Sequence, residues 1–406
     1  ALLGYLDREG HGVAGLEAAF DAQLSGSGAH DTLVCTVTAQ GTLQAGTEPV
    51  LSPADSGAVG VQLTLSRPIQ RAVEAAASQT METGCVVVLD TAAAKVRACV
   101  SLPGFDPEDV AASLDAPNSP LLNRAFSAYA VGSVFKPVLA AAALEAGLAG
   151  FAYDCPGYCM VDGQVFRCAG GVPHGQVDLA GALQKSCNGY FIRLGQQLGP
   201  RQVREMAARL GFGKALSLTD PLCTAAGQLP EESALASSGA YANFCFGQGE
   251  LLATPLQIAG MMNALACGGV FREPLLLEAT LDEDSGEPLQ TLSHRWPRRV
   301  VSQTAAQTLQ ALLVSVVREG TGRDAAPEEG TAGGKTGTAQ TGQFAGGEER
   351  KNFWFAGFWP GERPRYTIIV LQDGQTAPAH SSAAVFAAVC AALFFTKKSA
   401  YSKTRK

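Results

Sequence analysis

The stretch Val131-Gly132-Ser133-Val134-Phe135-Lys136-Pro137 opens a long apolar run that continues to Gly147. The run is rich in Ala and Leu, which are strong helix formers, so the sequence predicts a buried helix that begins at or beside Ser133. Pro137 fits this placement, because an N–H close to a helix start has no intrahelical partner to lose. Residues three apart share a helix face, so we expect Ser133 Oγ and Lys136 Nζ to meet.

Such a pair can carry out nucleophilic chemistry. A serine hydroxyl is a weak nucleophile until a base removes its proton, and a buried lysine with a lowered pKa is a suitable base. However, a Ser-x-x-Lys pattern arises by chance about once in a chain of this size and average composition. Taken alone, an N-cap serine followed by a solvated lysine is the better interpretation, so the function depends on what the rest of the chain supplies.

Length and charge restrict the class of protein. The 406 residues, 47% of them hydrophobic, can bury a sizeable core, which predicts one large domain with a smaller companion. The 30 basic and 37 acidic residues give a net charge of −7, which argues against a nucleic-acid partner. The longest apolar run, Ala383 to Phe395, is too short to span a bilayer, and we interpret it as a core helix.

Cysteines are grouped in one part of the chain. Eleven are present, and Cys155, Cys159 and Cys168 lie close to one another and to His174 in the sequence. A zinc site typically draws on two close pairs of ligands, and this spacing lacks them, so we predict no metal site. A local disulfide among the three cysteines stays open, and unpaired thiols are the default interpretation.

Strand patterns occur early and late in the chain, around a middle that is mostly helical by pattern. The predicted class is therefore α+β, with an antiparallel sheet built from both halves, flanked by helices and joined to a mainly helical subdomain. The predicted strands lie at 61–65, 84–90, 96–101, 335–339, 353–358 and 366–371, and the helical part at 138–270.

The predicted domain organisation has three parts. Residues 1–60 are rich in Gly, Ser, Thr and Ala and indicate part of a small domain or a connector. Residues 61–397 form the main domain. The basic tail, 398–406, is expected to be a disordered terminus.

Two further short motifs follow Ser133 in a fixed order. Ser186-Cys187-Asn188 comes 53 residues after Ser133, and Lys335-Thr336-Gly337 comes 149 residues after Ser186. No second Ser-x-x-Lys, Ser-x-Asn or Lys-Thr-Gly exists in the chain. In isolation, the first could be a helix cap and the second a plain turn. Together the three form the motif set of penicillin-binding proteins and related β-lactamases.

The first residues of this set have complementary chemistry. Ser133 would attack a carbonyl to form an acyl-enzyme, with Lys136 as general base. Ser186 can pass a proton between Lys335 and the leaving amine. The Asn188 amide offers a donor and an acceptor at once, so we expect it to hold a backbone amide of the substrate.

The second half of the predicted site binds the substrate. Lys335 supplies a positive field, and the hydroxyls of Thr336 and Thr338 can bind a carboxylate. Gly337 has no side chain, so an extended substrate can lie against its strand. The backbone N–H groups of Ser133 and Thr338 are the predicted oxyanion hole.

Beyond these motifs, residues 60 to 395 closely resemble the transpeptidase region of class B penicillin-binding proteins. The segments that carry the resemblance are Asn123-Arg124-Ala125, Gly132-Ser133-Val134-Phe135-Lys136-Pro137, His174-Gly175, Ser186-Cys187-Asn188, Gly247-Gln248-Gly249, Thr254-Pro255-Leu256-Gln257, Gly320-Thr321-Gly322, Gly334-Lys335-Thr336-Gly337-Thr338-Ala339 and Trp354-Phe355-Ala356-Gly357. Gly15-Leu16-Glu17 and Leu24-Ser25-Gly26 resemble the end of that family's N-terminal pedestal domain.

The resemblance implies a penicillin-binding/β-lactamase-like fold and an extracytoplasmic enzyme without a cofactor. It further implies cross-linking of peptidoglycan stem peptides that end in D-Ala-D-Ala, acylation by β-lactam antibiotics, and partner proteins of a cell-wall synthesis complex. A membrane anchor would lie in an N-terminal segment absent from this chain.

Two other classes of function stay open. A serine β-lactamase or D,D-carboxypeptidase shares the motifs, but no Glu-x-x-Leu-Asn pattern lies between Ser186 and Lys335 to activate a deacylating water. A non-catalytic β-lactam sensor or divisome scaffold would keep the fold without turnover, yet all the polar groups of the site are present. A Ser/His/Asp hydrolase is disfavoured by the lack of a Gly-x-Ser-x-Gly motif.

Overall fold

The computed structural model describes residues 1–26, 32–52, 58–218, 222–282, 285–291 and 297–403. It contains two compact units. The smaller consists of Ala1–Leu63 and Leu277–Ser293, and the larger of Thr64–Leu276 and His294–Lys406.

In chain order, the helices are α1 (Gly15–Ala19), α2 (Asp21–Ser25), α3 (Arg67–Thr80), α4 (Ala111–Leu114), α5 (Lys136–Glu145), α6 (Leu179–Gln184), α7 (Asn188–Leu198), α8 (Pro200–Arg209), α9 (Ser238–Cys245), α10 (Pro255–Ala266), α11 (Gln303–Glu319) and α12 (Ser382–Lys403). Single 3₁₀ turns occupy Gly132–Phe135, Ala169–Gly171, Ala234–Ala236 and Arg323–Ala325. The strands are β1 (Thr32–Val34), β2 (Val50–Ser52), β3 (Val59–Leu63), β4 (Gly84–Asp90), β5 (Val96–Leu102), β6 (Tyr129–Ala130), β7 (Tyr153–Cys155), β8 (Tyr158–Val161), β9 (Gln164–Arg167), β10 (Gly175–Val177), β11 (Leu252–Ala253), β12 (Val270–Phe271), β13 (Leu277–Asp282), β14 (Pro288–Thr291), β15 (Arg298–Arg299), β16 (Gly333–Ala345), β17 (Glu348–Trp359) and β18 (Tyr366–Gln375).

A five-stranded antiparallel sheet organises the larger unit. Its strand order is β16-β17-β18-β4-β5, so early and late parts of the chain share one sheet, as predicted. The continuous apolar run Cys85–Leu89 is buried throughout, because β4 has a neighbouring strand on each side and packing on both faces. Strand β16, which carries Lys335, lies at the edge of the sheet.

Helices cover both faces of this sheet. On one face, α3 and α12 contribute Val73, Ala77 and Phe386 to a core shared with Val86 and Phe355 of the sheet. On the other face lies α10, where Asn263 accepts a hydrogen bond from Thr367 Oγ1 and donates one to the Thr91 carbonyl. The predicted α+β class, an antiparallel sheet flanked by helices, is confirmed.

The middle of the chain is less uniformly helical than predicted. Residues 153–177 contain four short strands, with β8 and β9 joined at Asp162-Gly163, where both residues have positive φ. An Asp-Gly pair between short strands is a hairpin signal, and it outweighs the helical pattern because both central residues of such a turn need a left-handed backbone. This segment lies directly beside the start of α7 and contributes to the site described below.

Two other differences concern the ends of the predicted units. The strand predicted at 61–65 appears as β3 and pairs with β13 in the smaller unit, not with the main sheet. Helix α12 continues to Lys403, where a disordered tail was expected, because neither Gly nor Pro interrupts it. Residues 404–406 lie outside the described residues. Among the described helices, none combines the length and the apolar character needed to cross a membrane.

Candidate active site

Ser133 lies in the 3₁₀ turn that leads directly into α5, so the predicted helix start is confirmed. Gly132 has φ +64°, and a Cβ there would lie 2.6 Å from the Thr338 carbonyl oxygen. The Gly132 N–H donates to the Gly247 carbonyl at 2.7 Å. These contacts hold the turn between the segments that carry Thr338 and Gly247. The Ser133 side chain stays partly exposed.

Lys136 is completely buried at the start of α5, and its amine reaches the Ser186-Cys187-Asn188 motif. Nζ donates to the Ser186 carbonyl at 2.7 Å, to Asn188 Oδ1 at 2.7 Å and to Ser186 Oγ at 3.1 Å. Among the described residues, these three acceptors account for the hydrogen bonds of Lys136 Nζ, and none joins it to Ser133 Oγ. Catalytic hydrogen bonds are often long in free enzymes and tighten when substrate binds.

Ser186 lies between α6 and α7 in a left-handed conformation, with φ +53°. That conformation costs a residue with a Cβ about 1 kcal/mol. Its Oγ contacts both buried amines, Lys136 Nζ at 3.1 Å and Lys335 Nζ at 3.0 Å. One hydroxyl therefore connects the two lysines, as a proton relay requires.

The side-chain amide of Asn188 contacts two other segments of the protein. Its Oδ1 accepts from Lys136, and its Nδ2 donates to the Arg167 carbonyl at 2.9 Å. Both ends of the amide thus bind the protein, and the side chain positions Lys136 relative to β9. The sequence could not show this, because Arg167 comes from the hairpin that the helical pattern concealed.

Lys335 belongs to the edge strand β16, and its side chain is completely buried. Besides Ser186 Oγ, its Nζ contacts the Thr336 carbonyl at 3.1 Å and Thr336 Oγ1 at 3.3 Å. Thr336 Oγ1 lies 2.9 Å from Thr321 Oγ1. Sequence reasoning gave Thr321 no role of its own, although the Gly320-Thr321-Gly322 segment pointed to it.

The two amines have strongly altered acidity. Burial lowers the pKa of Lys136 to about 7, although the nearby Cys187 and Cys168 act in the opposite direction. Burial, and next the charge of Lys136, lower the pKa of Lys335 well below its ordinary value. Neither lysine forms a salt bridge within the described ranges. At pH 7, about half of the Lys136 amine is therefore neutral, the form that a general base needs.

One cleft of about 740 Å³ contains the exposed part of the predicted site. Lys136 and Lys335 lie buried beneath it. Its lining includes the predicted residues Ser133, Ser186, Asn188, Thr336, Gly337 and Thr338. Gln248 also lines it and donates to the Thr338 carbonyl at 3.4 Å. Its role was not predicted, although Gly247-Gln248-Gly249 was among the segments that carried the resemblance.

Gly337 allows β16 to approach the 3₁₀ turn. A Cβ there would lie 2.9 Å from Val134 Cγ1, 3.1 Å from the Val134 nitrogen and 3.3 Å from Trp354 Cβ. Gly337 was predicted to leave room for an extended substrate, and in the structure its backbone also packs against Val134, the residue that follows Ser133.

We therefore expect Gly337→Ala to lower the rate of Ser133 acylation about 100-fold, the size of effect known for displacing reacting groups by about 1 Å. The measurement is the acylation rate with a fluorescent penicillin. Gly150→Ala is the matched control, because a Cβ at Gly150 meets no atom within 4 Å. Equal rates for the two variants would show that the close approach is not needed.

Four potential metal ligands meet behind the Ser186-Cys187-Asn188 motif. The sulfur atoms of Cys155, Cys168 and Cys187 and the ring of His174 lie with their ligand atoms within 4.8 Å of one another. The spacing of Cys155, Cys159, Cys168 and His174 predicted no metal here, and the fourth ligand, Cys187, comes from another segment of the chain. The local disulfide that it left open is not formed among Cys155, Cys159 and Cys168.

Comparison with known proteins agrees with this architecture. Residues 84–391 match the family model of the penicillin binding protein transpeptidase domain. The chain is 32% identical to the peptidoglycan D,D-transpeptidase PbpA of Mycolicibacterium smegmatis, over 75% of this chain and 66% of that protein.

Solved structures resemble most of the chain. The D,D-transpeptidase domain of a peptidoglycan glycosyltransferase from Eggerthella lenta is 25% identical, with a TM-score of 0.81 over 98% of this chain and 90% of that one. The imipenem acyl-enzyme complex of penicillin-binding protein A from Mycobacterium tuberculosis is 28% identical, with a TM-score of 0.75 over 83% and 80%.

The chain spans between 58% and 66% of the length of three curated relatives that it matches. The family model covers the sheet, the nucleophile turn, the helical part and the edge strand that together form the cleft. The chain therefore belongs to the penicillin-binding protein transpeptidase domain family.

Proposed function

We propose that this chain is a serine D,D-transpeptidase that cross-links peptidoglycan stem peptides through an acyl-enzyme on Ser133. The observation that carries the proposal is the pair of buried amines, Lys136 and Lys335, which both contact Ser186 Oγ beneath the cleft that holds Ser133. Two lysines without an acidic partner are costly to bury, and a proton-transfer role explains why they lie there.

In the acylation step, Ser133 Oγ attacks the carbonyl carbon of the penultimate D-Ala and gives its proton to neutral Lys136. The carbon–nitrogen bond to the terminal D-Ala then breaks. Lys136 passes its proton through Ser186 Oγ to the leaving nitrogen, so D-Ala departs as an amine and the acyl-enzyme remains. The 3.1 Å and 3.0 Å contacts of Ser186 Oγ are suited to this relay.

The edge strand β16 binds the substrate. The terminal carboxylate of the stem peptide is bound by the hydroxyls of Thr336 and Thr338 within the positive field of Lys335. The N–H groups of Ser133 and Thr338 stabilise the oxyanion, and the extended peptide lies along β16. Asn188 keeps Lys136 in position from below.

In the second step, an acceptor amine of another stem peptide attacks the acyl carbon and gives up a proton through Ser186 Oγ to neutral Lys136. The ester bond to Ser133 Oγ then breaks, and Lys136 returns this proton to Ser133 Oγ. The names of the relatives support this reaction, and an acyl-enzyme of the M. tuberculosis protein with imipenem supports acylation by β-lactams. We place the enzyme outside the cytoplasm, anchored through an N-terminal segment, with the first 60 residues as part of a pedestal domain and with partners in a cell-wall synthesis complex.

Intact-mass analysis after incubation with benzylpenicillin tests the proposal. We expect a single adduct of the full drug mass, located on the peptide with Ser133 and stable for hours. Rapid release of hydrolysed drug would show a β-lactamase, and lack of an adduct would favour a non-catalytic scaffold. A donor stem peptide with and without an amine acceptor then separates cross-linking from simple D-Ala release by a carboxypeptidase.

A further inference from the structure

The cluster behind the Ser186-Cys187-Asn188 motif is compact and consists of soft metal ligands. Cys155 Sγ lies 3.7 Å from Cys168 Sγ and 3.7 Å from His174 Nδ1, and Cys168 Sγ lies 3.9 Å from Cys187 Sγ. The three cysteines are buried, and the histidine is partly buried. The four side chains come from β7, from the segment between β9 and β10, and from the N-cap of α7.

These separations fit a tetrahedral zinc ion and do not fit a disulfide. With Zn–S bonds of about 2.3 Å, two sulfur ligands at a tetrahedral angle are about 3.8 Å apart. A disulfide requires an S–S distance of about 2.05 Å. The observed sulfur separations of 3.7 and 3.9 Å leave space for an ion between the ligands.

We propose that Cys155, Cys168, His174 and Cys187 form a structural zinc site. Four protein ligands of the Cys₃His type complete the coordination sphere, so no position remains for water or substrate and the ion has a structural role. Nothing in the proposed transpeptidase reaction requires this ion, and the inference stands independently of that function.

The surroundings of the cluster suit bound thiolates. The Tyr190 N–H donates to Cys187 Sγ at 3.4 Å, and the N–H groups of Asn188 and Gly189 lie beside Cys168 Sγ. These amides belong to the first turn of α7, an end of the helix that favours negative charge. N–H donors to sulfur are the outer-shell contacts that stabilise and orient thiolate ligands in metal sites.

The charge of such a site would also suit the buried lysines. Zinc with three thiolates and a neutral imidazole carries a net charge of −1. Cys187 and Cys168 are close enough to act electrostatically on Lys136, which has no acidic partner among the described residues. The negative zinc complex would therefore balance the positive charge of protonated Lys136.

The site would connect the hairpin segment to the active-site motif. Cys187 stands between Ser186 and Asn188, the two residues that hold Lys136 Nζ. Coordination of Cys187 would fix both neighbours against β7, and so stabilise the left-handed turn at Ser186. The site would thus position the two residues that hold Lys136 Nζ.

Zinc content measured by mass spectrometry on protein purified without chelator tests the proposal. We expect about one zinc per chain in the parent protein and less than about a tenth of that in Cys168→Ala. The matched control is Cys159→Ala, because Cys159 is equally buried in β8 but lies outside the ligand set. A zinc-free parent protein, or equal loss in the control, would overturn the proposed ligand set.

A second readout does not depend on whether the variant folds. After exchange of zinc for cobalt in the parent protein, we expect the visible absorption bands of a tetrahedral cobalt–thiolate site. Thiol alkylation of the folded protein should modify three more cysteines with a strong chelator present than without it. These three are Cys155, Cys168 and Cys187. Three thiols that react equally with and without chelator, or a mass lower by two hydrogens because of a disulfide, would contradict zinc binding.

Discussion

Replacing Ser133 with alanine is expected to abolish the covalent penicillin adduct completely, with no measurable slow acylation. The variant lacks the atom that forms the ester bond, and none of the other hydroxyls that line the cleft lies in the 3₁₀ turn before α5. The measurement is intact-mass analysis after prolonged incubation with excess benzylpenicillin.

The same substitution should leave the stability of the protein unchanged. Ser133 Oγ makes no hydrogen bond within the described part of the chain, and its side chain is partly exposed, so alanine leaves no buried group unpaired. We expect the melting temperature of Ser133→Ala to match that of Ser78→Ala, an exposed control on α3. A residual adduct in a well-folded Ser133→Ala variant would show that another residue is the nucleophile.

Lys136→Met is expected to slow acylation of Ser133 about 10³- to 10⁴-fold, because it removes the amine and keeps a straight apolar chain of similar length. Met fills the space of the buried stem but cannot accept the proton. The measurement is the second-order acylation rate with a fluorescent penicillin, and Lys214→Met, at an exposed position, is the control. Lys136→Arg should be similarly slow, since a guanidinium stays protonated.

The pH dependence of the acylation rate tests whether Lys136 is the general base. Because burial lowers the pKa of Lys136 to about 7, the amine is protonated below pH 7 and neutral above it. The acylation rate of the parent protein should therefore rise about tenfold per pH unit below 7 and level off above it. The charged or titratable groups near this amine are Lys335, Cys187 and Cys168. If Lys136→Met kept the same acidic limb, one of these groups would be responsible instead.

Local patterns were sufficient for much of the fold. The alternation and apolar character of residues 84–90, 96–101, 353–358 and 366–371 predicted the strands β4, β5, β17 and β18, and the structure confirms them. The four short strands at 153–177 were not predicted, because strands of three or four residues are too short to show a clear alternation of apolar and polar residues. The Asp162-Gly163 pair was the available signal.

The sequence by itself predicted which residues carry out the chemistry. The ordered set of Ser133, Lys136, Ser186 and Lys335 indicated an acyl-transfer enzyme, because three short motifs that each occur once, in this order, form a known motif set. It could not say which atoms touch.

Only the tertiary structure decided the contacts between distant segments. It placed both amines on Ser186 Oγ, across separations of 50 and 149 residues, and it gave Asn188 the task of holding Lys136. It also brought Cys187 to the cysteines of the hairpin segment. Such contacts depend on how the sheet and helices pack, and packing is a property of the whole chain that no single stretch encodes.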